Sequence, residues 1–227
     1  FKVKKQYEEN PYPRWFSTPL SIKPSKICEI VDKSNLNLVD KKIMSVKSPE
    51  IFIAGCGTGQ QSISAASRYK NSHVTAIDLS LKSLAYAKRK TQELGLSNIE
   101  YKQGDILNLP ENHKKFDIIE CTGVLHHLDE PLTGWETLSN SLKEGGLMLV
   151  ALYSKIARED ITTIRKEIQD TGITNDEASM KLFRNKIINS DKSYHRRILQ
   201  SQDFYSLSDF RDLLFHEQEH HFTLKQI

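Results

Sequence analysis

The segment Glu50-Ile-Phe-Ile-Ala-Gly-Cys-Gly-Thr-Gly-Gln60 decides the fold that we expect for this chain. Its first half is a short apolar run, which is typical of a buried strand. The run ends in three glycines at alternate positions, Gly55, Gly57 and Gly59, and apolar residues then recur at helical spacing. Glycine permits unusual backbone dihedrals and lets a ligand approach the main chain closely. Strand, glycine turn and helix together predict the first unit of a nucleotide-binding α/β fold.

Length and composition are those of an ordinary globular protein. The chain has 227 residues, of which 38% are hydrophobic and 27% charged, so it can bury a full core. A net charge of +3 is too small to indicate a nucleic-acid or anionic-membrane partner. No apolar run approaches the roughly 20 residues that a membrane helix needs. Three cysteines without metal-type spacing predict reduced thiols in a cytoplasmic protein: Cys28, Cys56 and Cys121.

Strand and helix patterns alternate after the glycine turn, which implies a parallel sheet with helices on both faces. The strands are expected at residues 50–54, 73–78, 98–103, 115–121 and 146–153. The helices are expected at residues 59–69, 80–94 and 131–142, with Gly145-Gly146 turning the chain into the last strand. The predicted fold class is therefore α/β, with a cofactor-binding core over residues 50–153.

Acidic residues follow two of the predicted strands at their carboxyl ends, where ligands of such sheets bind. Asp78 ends the second strand, and a carboxylate there can accept both ribose hydroxyls of an adenosine-type cofactor. Its alternative role is a charge favoured by the dipole of the next helix. Asp105 follows the third strand with Ile106 beside it, so it is placed to take an adenine amino group or to be a solvated loop acid.

An ordered set of motifs resembles the S-adenosylmethionine-dependent methyltransferases of the Rossmann-like class. The motifs are Gly55-Cys-Gly-Thr-Gly59, Ala76-Ile-Asp78, Gly104-Asp-Ile-Leu107, Val124-Leu-His-His-Leu128 and Leu142-Lys-Glu-Gly-Gly-Leu147. The resemblance implies S-adenosylmethionine as cofactor, with the glycines at its methionine part, Asp78 on the ribose and Leu79 on the adenine. The full set of implied cofactor-binding residues is Gly55, Cys56, Gly57, Gly59, Gln60, Asp78, Leu79, Asp105, Ile106 and Thr122.

One position departs from the family pattern. Many members carry an acid two residues before the first glycine, where this chain has Ile53. Contacts to the amino-acid end of the cofactor must then come from elsewhere, and Thr122 and Gln60 are the candidates.

Methyl transfer depends mostly on positioning and on exclusion of water, and a hydroxyl substrate also needs a base near the methyl group. His126 aligns with a histidine that some oxygen methyltransferases carry in this loop, which makes it the candidate catalytic base. The alternative is a structural hydrogen-bonding role, because paired histidines are frequent in this loop across the class. Arg14 suits a carboxylate or phosphate, or a salt bridge that fixes the arm. The candidate substrate-binding residues are Tyr12, Arg14, Trp15, His127 and Tyr153.

The flanking segments extend the core on both sides. Residues 1–49 are expected to form an arm and a helix, with prolines excluding a regular helix from Gln6 to Trp15. Residues 154–221 are expected to form a helical cap over the site, and residues 222–227 to begin a core helix. The last strands would then be missing, which predicts a fragment of a longer protein. The flanks resemble a bacterial methyltransferase subfamily that is often fused to tetratricopeptide repeats.

The sequence also bears on a zinc site and on two other enzyme classes. His216-Glu-Gln-Glu-His220 matches the H-E-x-x-H pattern of helical zinc sites, but it has no evident third ligand, so a charged cap helix and no metal are expected. A nicotinamide oxidoreductase is disfavoured by the G-x-G-x-G spacing. A nucleic-acid methylase is disfavoured because the chain has no Asn-Pro-Pro-Tyr box after the fourth strand. The predicted function is methyl transfer to a small molecule or a protein side chain; the alternative is a non-catalytic module that binds the cofactor or a partner.

Overall fold

A computed structural model describes residues 2–110 and 114–227 of the chain. Its centre is a five-stranded parallel sheet in the order β3-β2-β1-β4-β5. The strands are β1 (Glu50–Ala54), β2 (His73–Asp78), β3 (Ile99–Gln103), β4 (Phe116–Thr122) and β5 (Leu142–Ala151). The predicted α/β class and parallel sheet are confirmed, and four of the strands agree with the sequence pattern to within one residue at each end.

Helices precede, separate and follow the strands. Between the strands lie α3 (Gln60–Arg68), α4 (Leu81–Glu93) and α5 (Pro131–Asn140), as the periodicity predicts. Before them lie α1 (Lys2–Glu9) and α2 (Ile27–Lys33), and after them α6 (Glu159–Thr171), α7 (Glu177–Ile188), α8 (Ser193–Ile198) and α9 (Leu207–Phe215). Within the described ranges, none of these helices is long and apolar enough to cross a membrane.

The central strand β1 is apolar on both faces because both faces of the sheet are covered. Ile51 and Ile53 pack in one hydrophobic cluster, whereas Phe52 and Ala54 pack in the other. All four side chains are buried. The alternation of side chains along a strand sends neighbouring residues to opposite faces. A doubly covered parallel strand therefore reads as a continuous apolar run.

The amino-terminal arm differs from its prediction. Residues Gln6 to Glu9 lie in the last turns of α1, although prolines were expected to exclude a helix there. Proline restricts itself and the residue before it, so Pro11 disfavours helix only from Asn10 onward. The helix is joined to the core by the Ser80 hydroxyl, which donates to the Tyr7 carbonyl at 3.1 Å. The Glu8 carboxylate accepts the backbone N–H groups at the start of α4.

The last strand also differs, since β5 begins at Leu142 rather than at residue 146. Gly145 and Gly146 therefore lie inside the strand, where the pairing with β4 shifts its register between Phe116 and Ile118. A glycine in a strand often marks such an irregularity. Gly145 has a φ of 75°, and a side chain at Gly146 would meet backbone oxygens 2.9 Å away.

Helices α6 to α9, here called the cap, pack around a hydrophobic cluster of their own, whereas the expected covering of the site by residues 154–221 stays a prediction. The segment that follows the cap, residues 216–221, is joined to the sheet by His220, whose N–H donates to the His126 carbonyl at 2.8 Å. Glu219 is almost fully buried, and it pairs with Arg158 at 2.7 Å and Arg165 at 3.3 Å. Residues 222–227 contain a bridge to Ser154 and a turn, so the helix expected to begin there stays a prediction.

The glycine turn yields a stability prediction. Gly59 has a φ of 91°, and an added Cβ would lie 2.5 Å from the Ala87 Cβ on α4. Gly59→Ala should therefore cost about 1–2 kcal/mol for the backbone and about 1–3 kcal/mol for the overlap. The matched control is Gly95→Ala. Gly95 has a φ of 70°, and an added Cβ would have no described atom within 4 Å, so this substitution should cost only the backbone part. Urea denaturation measures both, and equal losses would contradict the predicted overlap.

Candidate functional site

A cavity of about 640 Å³ opens at the carboxyl ends of the strands. Its position agrees with the rule that ligands of open parallel sheets bind where the strand order reverses, here at β1. Its volume is that of an ordinary small-molecule site. Eleven of the residues predicted from the sequence line it: Tyr12, Gly55, Cys56, Gly57, Gln60, Asp78, Leu79, Asp105, Ile106, Thr122 and His127.

Asp78 is fixed by backbone donors from two turns. Its Oδ2 accepts the Gly57 N–H at 2.8 Å, and its Oδ1 accepts the Ser80 N–H at 2.9 Å. Burial raises the pKa of this carboxyl, while the N–H groups of Ser80 and Gly57 oppose the rise. Each carboxylate oxygen has a second lone pair, so the group can still accept from hydroxyls of a ligand.

The glycines of the turn let other parts of the chain pack closely against the main chain. A Cβ at Gly55 would collide with the Val124 side chain, and one at Gly57 would collide with the Tyr12 carbonyl oxygen. Both glycines have positive φ and both line the cavity. The turn thus packs tightly against Val124 and Tyr12 and still borders the cavity, where the adjacent Asp78 carboxylate suits a ribose. These residues fit an adenosine-type cofactor.

Asp105 and Ile106 stand beyond β3, on the far side of β2 from the glycine turn. Asp105 accepts the Leu107 N–H at 3.0 Å and the Asn108 amide at 2.9 Å, which orients its carboxylate in the short turn Ile106–Asn108. Ile106 is buried, and Leu79 lines the same cavity. An acid that lines a cavity together with apolar side chains is suited to the edge and face of an adenine ring.

His127 lines the cavity with a defined tautomer. Its Nδ1 lies 2.7 Å from the Gln218 carbonyl oxygen. Because a carbonyl only accepts, Nδ1 carries the proton and Nε2 has the free lone pair. Burial is the main cause that lowers the pKa of His127 to about 4, so the ring is neutral at pH 7. His127 is therefore a hydrogen-bond acceptor within the cavity.

His126, the base predicted from the sequence, does not line the cavity. Its ring is buried between Tyr153, at a centroid distance of 3.6 Å, and His127, at 4.3 Å. Neither ring nitrogen has a hydrogen-bond partner among the described residues, so the structural alternative of a hydrogen-bonding role is not observed either. Burial lowers the pKa of His126 to about 2. In this arrangement the ring packs against its neighbours, and its role as the base stays a prediction.

A directed chain of hydrogen bonds lies beside His127. The Gln218 N–H donates to His216 Nδ1 at 3.0 Å, so the proton of the neutral ring is on Nε2 and is donated to the Tyr7 hydroxyl at 3.0 Å. Tyr7 in turn donates to Asp212 Oδ1 at 3.0 Å. Burial raises the pKa of Asp212 to about 7. The chain fixes the Tyr7 ring, which lines the cavity, to the cap.

Four other predicted residues lie outside the cavity. Trp15 is buried and donates to the Thr58 hydroxyl at 3.0 Å, so it anchors the arm. Arg14 is exposed and lies over the Phe16 ring. Tyr153 packs between His126 and the Arg158 guanidinium, and Gly59 faces Ala87. None of these four residues lines the cavity, and their expected contacts with substrate or cofactor stay predictions.

The H-E-x-x-H segment does not form the helix expected for it. Helix α9 ends at Phe215, and His216 has extended dihedrals. The periodic placement of two histidines on one helix face is therefore lost. No group of three metal-ligating side chains occurs within residues 2–110 and 114–227.

Sequence reasoning missed several polar residues of the cavity wall, among them Tyr7, Gln61 and Gln218. Tyr7 belongs to the aromatic arm, and Gln61 directly follows a predicted residue, so local signals existed for both. Gln218 reaches the cavity only because the cap folds back, which no local pattern indicates.

The burial of His126 gives a pH prediction. An exposed histidine titrates near pH 6.5, so as pH falls the unfolded chain takes up this proton well before the native state does. The free energy of unfolding of the wild type therefore falls by about 1.4 kcal/mol for each pH unit between pH 6 and 4 because of His126. His126→Phe should remove that part of the pH dependence and keep or raise stability at pH 8. Denaturation curves at several pH values measure it, and parallel pH profiles would contradict it.

Comparison with known proteins agrees with this geometry. A family model described as a methyltransferase domain matches residues 53–211. A ubiquinone biosynthesis O-methyltransferase of Marinobacter nauticus is 29% identical over 145 residues, covering 63% of this chain and 58% of that protein. An uncharacterised protein of Synechococcus sp. is 35% identical over 121 residues, covering 53% of this chain and 29% of that protein.

Solved structures show the same fold. PKMT2 from Rickettsia typhi superposes with a TM-score of 0.63 at 22% identity, over 88% of this chain and 39% of that one. Its complex with AdoHcy gives a TM-score of 0.61 at 21% identity, over 79% of this chain and 37% of that one. The chain thus spans well under two thirds of the length of these relatives. The family match over residues 53–211 shows that the chain belongs to the methyltransferase-domain family.

Proposed function

We propose that the cavity binds S-adenosylmethionine and that the protein transfers its methyl group to a hydroxyl of a small molecule or a protein side chain. The observation that carries the proposal is the His127 Nε2 lone pair, left free by the Nδ1 hydrogen bond to Gln218, in a cavity that also holds Asp78 and the glycine turn. The O-methyltransferase relative supports an oxygen acceptor. When bound, S-adenosylmethionine supplies an electrophilic methyl group on a sulfonium.

The roles of the cofactor-binding residues follow from their positions. Asp78 accepts the ribose hydroxyls, Asp105 accepts from the adenine amino group, and Leu79 and Ile106 pack on the ring. Gly55, Cys56 and Gly57 border the part of the cofactor that contains the sulfonium.

His127 acts on the acceptor. Its Nε2 accepts the substrate O–H proton as the oxygen forms its bond to the methyl carbon and the carbon–sulfur bond breaks. The neutral ring at pH 7 is ready to accept, but a pKa of about 4 makes it a weak base. It therefore favours an acidic hydroxyl, and phenols, which ionise near pH 10, suit it better than aliphatic alcohols.

The substrate side of the cavity is walled by Tyr7, Tyr12, Leu128 and Gln218. Aromatic rings offer flat apolar surface with a polar tip, which suits an aromatic acceptor. Residues of α1 and Gln218 wall the cavity on two sides, and these walls limit the access of water to the methyl transfer.

Two wider proposals rest on the sequence. The resemblance to the bacterial subfamily predicts a tetratricopeptide-repeat region elsewhere in the full-length protein. Free cysteines at positions 28, 56 and 121 support a cytoplasmic location, where thiols stay reduced. The alternative function, a non-catalytic cofactor-binding module, is supported by Ile53 in place of the family acid.

The cofactor is tested first by calorimetric titration with S-adenosylmethionine, with NAD as the control ligand. Asp78→Ala should weaken binding about 10- to 100-fold, because hydrogen bonds to a charged group are lost. Asp170→Ala, which removes an exposed acid from α6, is the matched control and should bind as the wild type does. Binding of NAD instead of S-adenosylmethionine would contradict the proposal.

The acceptor is tested with methyl-labelled S-adenosylmethionine and a panel of phenols and lysine-containing peptides. Label should appear in a phenol. His127→Phe should lower that rate about 100-fold or more while cofactor binding is kept, because a general base contributes this much. The neighbouring His126→Phe is the matched control and should retain the rate. Loss of rate in His126→Phe alone would restore His126 as the base, and label only in peptides would favour an amine acceptor.

A further inference from the structure

Many family members carry an acid where this chain has Ile53. The neighbouring strand β4 supplies an acid beside that position. Ile53 on β1 pairs in register with Glu120 on β4. Residues that pair in register on parallel strands project to the same face of the sheet. Glu120 therefore places a carboxylate on the face that an acid at position 53 would occupy, one strand further from Asp78.

Glu120 is buried and its charge is compensated. Only 3% of the residue is exposed, and its Oε1 accepts from Arg68 at 2.6 Å. Its Oε2 accepts from the Gln61 amide nitrogen at 2.9 Å. Buried charges of this kind need both a counter-charge and hydrogen bonds, and Glu120 has both. Glu120 does not itself line the cavity, whereas Gln61 does.

Chemistry fixes which way the Gln61 amide points. A carboxylate only accepts, so the amide nitrogen must face Glu120 and the oxygen must face the other way. There, Gln61 Oε1 accepts the Thr122 hydroxyl proton at 2.8 Å. One amide N–H of Gln61 is then left to donate. Because the Thr122 proton is used, the Thr122 oxygen can only accept from a ligand.

The direction of the bound cofactor follows from the strand order. Asp105 and Asp78 lie at the ends of β3 and β2, on one side of β1. A cofactor with its adenine and ribose there passes over β1 at Gly55 and Gly57. Its amino-acid end then reaches β4, where Thr122 and Gln61 line the cavity.

We propose that Gln61 and Thr122 hold the amino-acid end of the cofactor, with Glu120 as the positioning residue that orients the Gln61 amide. Thr122 accepts from the ammonium group and Gln61 donates to the carboxylate. This assignment rests on the proposed function. Thr122 is one of the two candidates predicted from the sequence. The other candidate, Gln60, is replaced by Gln61, because the Gln60 side chain has no hydrogen-bond partner of this kind among the described residues.

The test compares two ligands that differ only at this end. S-adenosylhomocysteine has the amino-acid end, whereas 5′-methylthioadenosine keeps the adenosine and the sulfur and lacks it. Gln61→Leu and Thr122→Val should each weaken S-adenosylhomocysteine about 10- to 100-fold and leave 5′-methylthioadenosine unchanged. Thr122→Ser keeps the hydroxyl and should rescue the affinity. Glu120→Gln should show the same selective loss, because a second amide allows Gln61 to turn over.

Retained binding of 5′-methylthioadenosine shows that each variant is folded. Equal loss of both ligands, or no loss of either, would overturn the assignment and leave the proposed function standing. Gln60→Leu is the comparison variant, and a selective loss there with none in Gln61→Leu would also overturn it. Failure of the wild type to bind either ligand would instead overturn the proposed function, and this inference with it.

Discussion

The cavity depends on the hydrogen bond from the Gly57 N–H to the Asp78 carboxylate. It joins the turn after β1 to the end of β2, and the arm lies directly over it, with the Thr58 N–H donating to the Tyr12 carbonyl at 3.1 Å. A side chain at position 57 would displace that carbonyl. Because Gly57 has no side chain, the turn after β1 can bond to Asp78, the candidate ribose acceptor, and the arm can pack against the same turn.

The second organising feature is the return of the cap to the sheet through residues 216–221. This segment supplies the Gln218 carbonyl that sets the His127 tautomer and the His216 ring that stacks on His127 at 3.7 Å. It is held in turn by Glu219 between two arginines. The buried charges thus stabilise the cap and, through it, the protonation state of a cavity histidine.

The prediction from sequence succeeded where a residue's role follows from its local neighbours. The strand β1, the glycine turn and the acids at the ends of β2 and β3 are each specified within a few residues, and each lies where expected. It placed His127 at the cavity but missed the exclusion of His126 from it, because adjacent residues in a tight turn face different surroundings. The motif indicates only that two adjacent histidines lie near the site. Stacking on Tyr153 buries the His126 ring, whereas the hydrogen bond to Gln218 holds the His127 ring at the cavity.

The sequence by itself determined the α/β class, the methyltransferase resemblance and most of the cofactor wall, because periodicity, glycine spacing and strand-end acids are local signals. Tertiary structure alone decided the rest. The pairing of Ile53 with Glu120, the orientation of Gln61 and the contact between His127 and Gln218 join residues far apart in the chain. Their hydrogen-bond directions follow from which donors and acceptors the fold brings within about 3 Å, and no local pattern encodes that distance.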